Sequence, residues 1–448
     1  MEQLRALVGA GRVDTVLLAV ADGQGRLKGK EYDARYFLDR LADGDGVAEM
    51  CAYVFATDVD MTPLKGFALA SWESGYGDVR LAPDPGSARL TPWLPRTALV
   101  LADALGPDGQ LLQVSPRSML RRQLDQLAAR GMQARVGLET EFVLYHGTLG
   151  ELADGGYRDL RPVTWDNRDY ALDHPRVLSA FSRNLRAGLA KAGLPVEAVK
   201  TEGAPGQVEV TFPYGEALAA CDGHLLFKHA VRTTSERHRL AATFMAAPSD
   251  GVGSGLHLHV SLWRGDQALF AGPGHGGELP ELAGQVVAGL LDALPHLAPL
   301  YAPTVNSYKR YQPHSFAPTR YAWGWDNRGC AVRVVGHGTG LHLEVRLPGA
   351  DANPYLALAS VLAAAQHGID HDLKPPAPST GDAYQDSAAP PVAPTLHHSL
   401  TAFEGSRLAA ELLGEEVVAH YARAAQRELD VHRVRVTDVD LSRGFAQT

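Results

Sequence analysis

The chain has 448 residues, 45% of them apolar and 21% charged, with 46 Gly, 28 Pro and 3 Cys. It is long enough for two or three domains, and its composition excludes a disordered tail protein, a collagen-like repeat and a disulfide-stapled miniature. With 42 basic against 51 acidic residues the formal net charge is −9, which offers no electrostatic footprint for nucleic acid or an anionic membrane.

The opening stretch, MEQLRALVGAGRVD, carries charges where a signal peptide needs an unbroken apolar core. No run reaches the roughly 18 uncharged apolar residues of a spanning helix, so the cytoplasm is the expected location. Val13 to Val20 reads as a strand, ended by the turn Asp22-Gly23-Gln24-Gly25, with a possible return strand in RLKGKEYDARYFLD. From Asp58 to about Pro95 the chain is rich in Gly, Pro and Asp without a sustained period, and reads as a long loop. TALVLADAL is a buried strand, and Pro116 opens a helix that Gly131 stops, which places a domain boundary near residue 110 (1–110 and 111–448). Helices follow at Val177 to Ala192, Ala217 to Ala241, Leu279 to Leu300 and Asn353 to Gly368, then a Pro/Ala/Ser loop at 374–394 and helices around Leu396 to Leu429. Cys51, Cys221 and Cys330 are far apart with no CxxC pair, against a disulfide framework or a thiolate zinc site. Strands and helices do not alternate regularly, so the expected class is α+β.

Four segments of the second half carry charge on one strand face, where residues i and i+2 lie together. VGLETEFVLY aligns Glu139 with Glu141; GQVEVTF aligns Gln207, Glu209 and Thr211, with Glu202 just upstream. GLHLHVSLW aligns His257, His259 and Ser261, and LHLEVRLP aligns His342, Glu344 and Arg346. One such face is ordinary for a half-buried strand. Several converging faces would crowd carboxylates that repel one another unless a cation holds them. Oxygen ligands with an imidazole suit Mg²⁺ or Mn²⁺ better than zinc, and such ions beside arginines neutralise a transferring phosphoryl group. The residues point to metal-assisted phosphoryl chemistry on an anionic substrate. Gly251-Val252-Gly253-Ser254-Gly255 is no phosphate loop, because a strand follows it and no Lys-Ser/Thr does.

With these residues in view the chain resembles the glutamine synthetase family from about Val13 to Phe445, through GLETEF (137–142), EGAPGQVE (202–209), GSGLHLHVS (253–261), NSYKR (306–310), NRGCAVR (327–333) and EVRLPGADANPYL (344–356). The resemblance implies a small amino-terminal β-grasp-like domain and a large catalytic domain with a curved antiparallel sheet backed by helices. It implies ATP as co-substrate and at least two divalent ions, Mg²⁺ or Mn²⁺. Glu141, Glu202 and Glu209 match the ligands of the metal that organises the amino-acid substrate, and Glu139, His257 and Glu344 those of the metal on the nucleotide. Gly253, Arg310 and Arg346 match substrate contacts; His259, Ser261 and Arg333 match ATP contacts; Arg328, with Glu202, matches catalytic positions. It also implies a homododecamer with sites at subunit interfaces.

The departures cluster where ammonium would sit. The loop after NSYKR reads Pro-His-Ser-Phe-Ala-Pro, so Phe316 replaces the loop glutamate of the ammonia-using members. Their His-His-Glu is Lys200-Thr201-Glu202 here, and Asp58 or Asp60 is the expected stand-in for an ammonium-binding aspartate. Val252 and His342 replace further polar contacts, and no adenylylation segment is recognisable at 380–400. Ammonium is small and strongly hydrated, and binding it takes several anionic groups. The expected activity is therefore ATP-dependent joining of the glutamate γ-carboxylate to an organic amine such as a polyamine or ethanolamine, with Phe316, Tyr170 and Asp58 lining the amine pocket. A glutamine producer with a divergent ammonium site and a catalytically silent ligand-binding relative are the alternatives.

Overall fold

The computed structural model describes residues 1–42 and 48–447, so residues 43–47 of the expected first domain lie outside the described set. The first sheet contains β1 (Thr15–Ala21), β2 (Leu27–Asp33), β3 (Ala48–Cys51), β4 (Asp78–Pro83), β5 (Arg89–Leu90) and β6 (Thr97–Leu105). Its order is β2-β1-β6-β4-β3, with β5 beside β6. β1 and β2 form the expected hairpin, and β1 runs parallel to β6. β6 is buried along all but its last residue, as a continuous apolar run requires. β4 arises inside the stretch read as a loop: DVRLAP alternates exposed and buried over only six residues, too few for a period to register against the surrounding Gly and Pro.

The β1–β2 turn is anchored across the molecule. Asp22 is fully buried, accepts from Arg26 Nε at 2.7 Å, and offers its carbonyl to Asn353 Nδ2 at 2.9 Å. Gly25 sits at φ +70°, and a Cβ there would come within 3.2 Å of Asn353 Cα, so the turn needs glycine twice over. Asn353 also caps the helix Pro354–Asp370, accepting from the Tyr355 amide.

The second sheet holds ten strands: β7 (Gln133–His146), β8 (Ala198–Thr201), β9 (Gln207–Thr211), β10 (Gly215–Glu216), β11 (Leu240–Thr243), β12 (Leu256–Arg264), β13 (Gln267–Ala268), β14 (Trp323–Trp325), β15 (Val332–Val335) and β16 (His342–Val345). The main path is β14-β15-β16-β12-β7-β9-β8, antiparallel except for β14 and β15. Its apolar face (Val136, Leu138, Leu256, Leu258, Val260, Leu343, Val345) joins one core with the helices Ala217–Arg237, Glu281–Ala293 and Pro354–Asp370. The class is α+β, with sheets backed by helices.

Two helices differ from expectation. The helix from Ala217 stops at Arg237, and the chain turns into β11 instead of continuing to Ala241. The helix expected over 279–300 is Glu281–Ala293 followed by short turns, because Pro295 and Pro299 cannot donate to a continued ladder. Among the described residues, no helix is long and apolar enough to cross a membrane.

A guanidinium ties the first sheet to the helix Ala217–Arg237 behind the second. Arg117, 2% exposed, donates to Asp103 at 2.7 Å, Asp84 at 2.6 Å and Asp222 at 2.9 and 2.8 Å. Arg121 adds contacts to Asp84 and Asp103, and Tyr355 Oη donates to Asp222 at 2.6 Å.

Lys228 is also buried, donating to the Ala350 carbonyl at 3.2 Å with its ammonium 4.8 Å from the Phe244 ring centre. Burial and the neighbouring Arg232 push the ammonium down to about 7, against the pull of Asp351 and Asp22. Between that value and the unfolded value of about 10.4 the unfolded chain binds more protons, so stability rises with pH there. The cost is fully present below pH 7. Lys228→Met is expected to raise the denaturation midpoint at pH 6, and by less at pH 10; an equal change at both would show that the buried charge is not the cause.

Candidate active site

The sheet register builds the site. β7 pairs with β12 so that Glu139 faces His257, and with β9 so that Glu141 faces Glu209. β12 pairs with β16 to set His259 opposite Glu344, which β15 flanks with Arg333. β8 then places Lys200 opposite Glu209. Because Cβ atoms alternate along each strand, all these side chains emerge on the face away from the core.

Two overlapping groups bring their ligand atoms within 4.8 Å of one another: Glu139, His257 and Glu344, and Glu139, Glu141 and Glu209. Glu139 is common to both. Its Oε1 is 2.8 Å from His257 Nδ1 and its Oε2 3.4 Å from His259 Nε2. Burial would raise the Glu139 carboxyl, but these two imidazoles hold it well below the usual range. Burial and Arg346 push His257 down to about 4, leaving it neutral. With Arg310 Nη2 3.4 Å from Nε2, the neutral ring is assigned its proton on Nδ1, facing Glu139.

Glu344 is fully buried, ion-paired with Arg346 and 2.7 Å from Arg333 Nη1. Burial opposes its charge, but Arg346 brings it down to about 2. The other flank is the reverse. Burial and repulsion from Glu202 raise Glu141 to about 7, although the Gly255 amide at 2.8 Å and Gln207 Nε2 at 3.1 Å both donate to its Oε2. Burial and the adjacent Glu139 push Glu209 well above the usual carboxylate range. Carboxylates forced upward in this way mark an excess of negative charge, and an oxygen-rich donor set of this kind fits a hard divalent cation.

Glu202 belongs to neither group; its carboxylate is ion-paired with Lys200 Nζ. Arg310 and Arg346 are 4% and 5% exposed and interlocked: Arg310 Nη1 donates to the carbonyls of Arg346 and Leu347 at 3.2 and 3.0 Å. Gly253 lies under Arg310, where a Cβ would come within 3.0 Å of Arg310 Cγ, and its carbonyl accepts from Gln207 Nε2 at 2.8 Å. Arg346 Nε donates to the carbonyl of the exposed Arg328 at 3.1 Å, and its Nη2 to the Phe316 carbonyl at 3.3 Å. Phe316 and Tyr170 are both 67% exposed and both hold left-handed backbone, φ 60° and 56°. Bulky residues rarely adopt that region, and such strain gathers at binding loops. Trp323, by contrast, is core, donating to the Pro376 carbonyl at 2.8 Å.

Asp58 is engaged elsewhere within its own chain. It pairs with Arg427 at 3.2 Å and accepts the Thr62 amide at 2.8 Å, beside the helix Glu415–Arg433.

A cavity of about 360 Å³ opens beside the Glu139–His257–Glu344 group, lined by Glu139, His259, Ser261 and His342 and by three residues that the strand patterning did not single out, Arg135, Tyr214 and Trp263. The Arg135 guanidinium lies 3.9 Å over Trp263, Tyr214 stacks on the same ring at 6.5 Å, and Trp263 Nε1 donates to Ser261 Oγ at 2.8 Å. Arg135 was within reach of the sequence: it shares the i, i+2 face with Gly137, Glu139 and Glu141. His259 Nδ1 and His342 Nε2 are 3.1 Å apart at the cavity edge.

The family model described as glutamine synthetase, catalytic domain, matches residues 113–443. The chain belongs to the glutamine synthetase family. Among its relatives, a gamma-glutamylethanolamide synthetase of Streptomyces coelicolor is 44% identical over 445 residues, 99% of this chain and 95% of that protein. A glutamate–isopropylamine ligase of a Pseudomonas species is 33% identical, covering 98% of this chain and 97% of its own. A glutamine synthetase of Thermus thermophilus is 32% identical, covering 99% and 98%. The solved GmaS/ADP complex matches with a TM-score of 0.85 and 28% identity over 99% of this chain and 100% of that one. This glutamine synthetase family member is an enzyme, a ligase, and its acidic and histidine groups are of the kind that hold the family's divalent ions.

Proposed function

We propose that this glutamine synthetase family ligase joins the γ-carboxylate of glutamate to an organic amine, using ATP, through a γ-glutamyl phosphate. The observation that carries the choice of amine is Phe316. The loop whose carbonyl is held by Arg346 presents an exposed aromatic ring where a carboxylate would be needed to bind and deprotonate ammonium. The relatives named for ethanolamide and isopropylamine chemistry support the same reading.

In this reading Arg310 and Arg346, with the Gly253 backbone, hold the glutamate carboxylates. Two divalent ions, Mg²⁺ or Mn²⁺, would be held by Glu139, His257 and Glu344 and by Glu141, Glu202 and Glu209, with Glu139 near enough to serve both, and would supply charge neutralisation for the transferring phosphoryl group. The γ-carboxylate of glutamate displaces ADP from the γ-phosphorus, and the amine nitrogen then displaces phosphate from the acyl carbon, releasing a proton. Arg328 and Arg333 offset the negative charge that spreads over the phosphoryl oxygens. His259, Ser261 and the Arg135–Trp263–Tyr214 stack form the nucleotide cavity, with the cationic and aromatic planes suited to a purine. Phe316 and Tyr170 wall the amine. The division at residue 110 and the homododecamer belong to the same proposal, with the 58–80 loop and Asp58 of one subunit closing a neighbour's site; light scattering checks the assembly.

The direct test is phosphate release with glutamate, ATP, Mg²⁺ and a panel of amines, with products identified by mass spectrometry. Ethanolamine or an alkylamine is expected to exceed ammonium, and a best rate with ammonium would falsify the assignment. Phe316→Glu is expected to shift the kcat/KM ratio toward ammonium by about ten- to a hundredfold, the range that one pocket group commands. An unchanged ratio would remove Phe316 from the amine pocket.

A further inference from the structure

Glu202 follows the end of β8 two residues after Lys200, and the β8–β9 register sets Lys200 directly opposite Glu209. The ammonium is ion-paired with Glu202 Oε1, 3.7 Å from Glu209 Oε2 and 3.9 Å from Asp169 Oδ1, and 4.6 Å from the centre of the Tyr170 ring. A lysine ammonium is cationic at ordinary pH, and these three carboxylates surround it.

We propose that Lys200 is a tethered cation that competes with a divalent metal for the oxygens of Glu202 and Glu209, and so weakens and gates metal loading at that half of the site. This rests on the reading that Glu141, Glu202 and Glu209 hold one of the ions. A metal and an ammonium cannot share the same carboxylate lone pairs at these separations; one displaces the other. Lysine suits the task. It is a point charge on a flexible four-carbon stem, and its side chain is 25% exposed, so it can turn. Asp169 and the Tyr170 face already lie beside it and would keep the displaced ammonium paired. The opposite group differs: Glu344 is paired with two arginines, and Arg346 is fixed by its own bonds to the Arg328 and Phe316 carbonyls.

The experiment is Mn²⁺ titration of the full-length, chelator-stripped protein by calorimetry and electron paramagnetic resonance, for wild type, Lys200→Met and Lys200→Arg. Lys200→Met should bind the weaker of two Mn²⁺ ions about tenfold or more tightly, and Lys200→Arg should stay near wild type. The thermal midpoint gives a second readout. Lys200→Met should melt below wild type in chelator and gain more from Mn²⁺ than wild type does. Unchanged or weakened Mn²⁺ affinity in Lys200→Met overturns the proposal, as does an equal shift in midpoint with and without Mn²⁺, which marks a structural ion pair. If wild type binds two ions and the variant matches it, only the role of Lys200 falls. If none of the three proteins binds Mn²⁺, the metal reading falls with it.

Discussion

Glu139→Gln is expected to lower glutamate- and amine-dependent phosphate release on the order of a thousandfold, while the far-ultraviolet circular dichroism stays that of wild type. The reason is position. Glu139 is the one carboxylate common to both ligand groups, it touches both His257 and His259, and it borders the cavity that Trp263 and Arg135 line. Gln keeps the size and one acceptor oxygen but removes the charge, so neither ion has its shared ligand. Glu141→Gln is the comparison. That residue belongs to one group, so its loss should weaken one Mn²⁺ site and leave the other. Near-normal turnover in Glu139→Gln, or equal effects of the two variants on both Mn²⁺ sites, would overturn the shared-ligand assignment.

Arg117→Ala is expected to destabilise the protein by about 3–5 kcal/mol, seen as a lower denaturant midpoint, with a much smaller effect on catalysis in whatever remains folded. Three carboxylates converge on this guanidinium: Asp84 and Asp103 from the first sheet, and Asp222 from the helix behind the second. They hold its pKa far above the normal arginine value despite burial. Removing the cation strands negative charge at 12–20% side-chain exposure, with Arg121 left to neutralise only Asp84 and Asp103. A lysine ammonium cannot make the forked contacts, so Arg117→Lys should fall between wild type and Ala. A midpoint within about 0.5 kcal/mol of wild type for Arg117→Ala would mean that the network adds nothing net.

The same contrast between local pattern and long-range charge separates what could be read early from what could not. Alternation in LETEF, LHLHVSL and LHLEVRL assigned the acidic, histidine and arginine side chains to strand faces, and the structure places Glu139, Glu141, His257, His259, His342 and Glu344 within strands, with Arg346 just past the end of β16. The same reading missed β4, whose short alternating run sits among Gly and Pro, and it overran the helix from Ala217 by four residues, into β11. Phe316 was visible as a substitution, but its left-handed backbone and its carbonyl bond to Arg346 were not. Asp58 was placed by analogy in the amine pocket, and within its own chain it is held by Arg427, 369 residues away in sequence.

The amino-acid sequence by itself determined the class, the family and the inventory of chemical groups, because strand periodicity and motif order are properties of residues close together in the chain. Only the tertiary structure decided which of those groups meet. Whether Glu139 faces His257, whether Glu202 answers to a metal or to Lys200, and whether Arg117 joins the first sheet to the helix behind the second all depend on register between strands or on the packing of segments far apart in sequence. Coulomb energy falls with distance, and distance between remote segments is written in the fold.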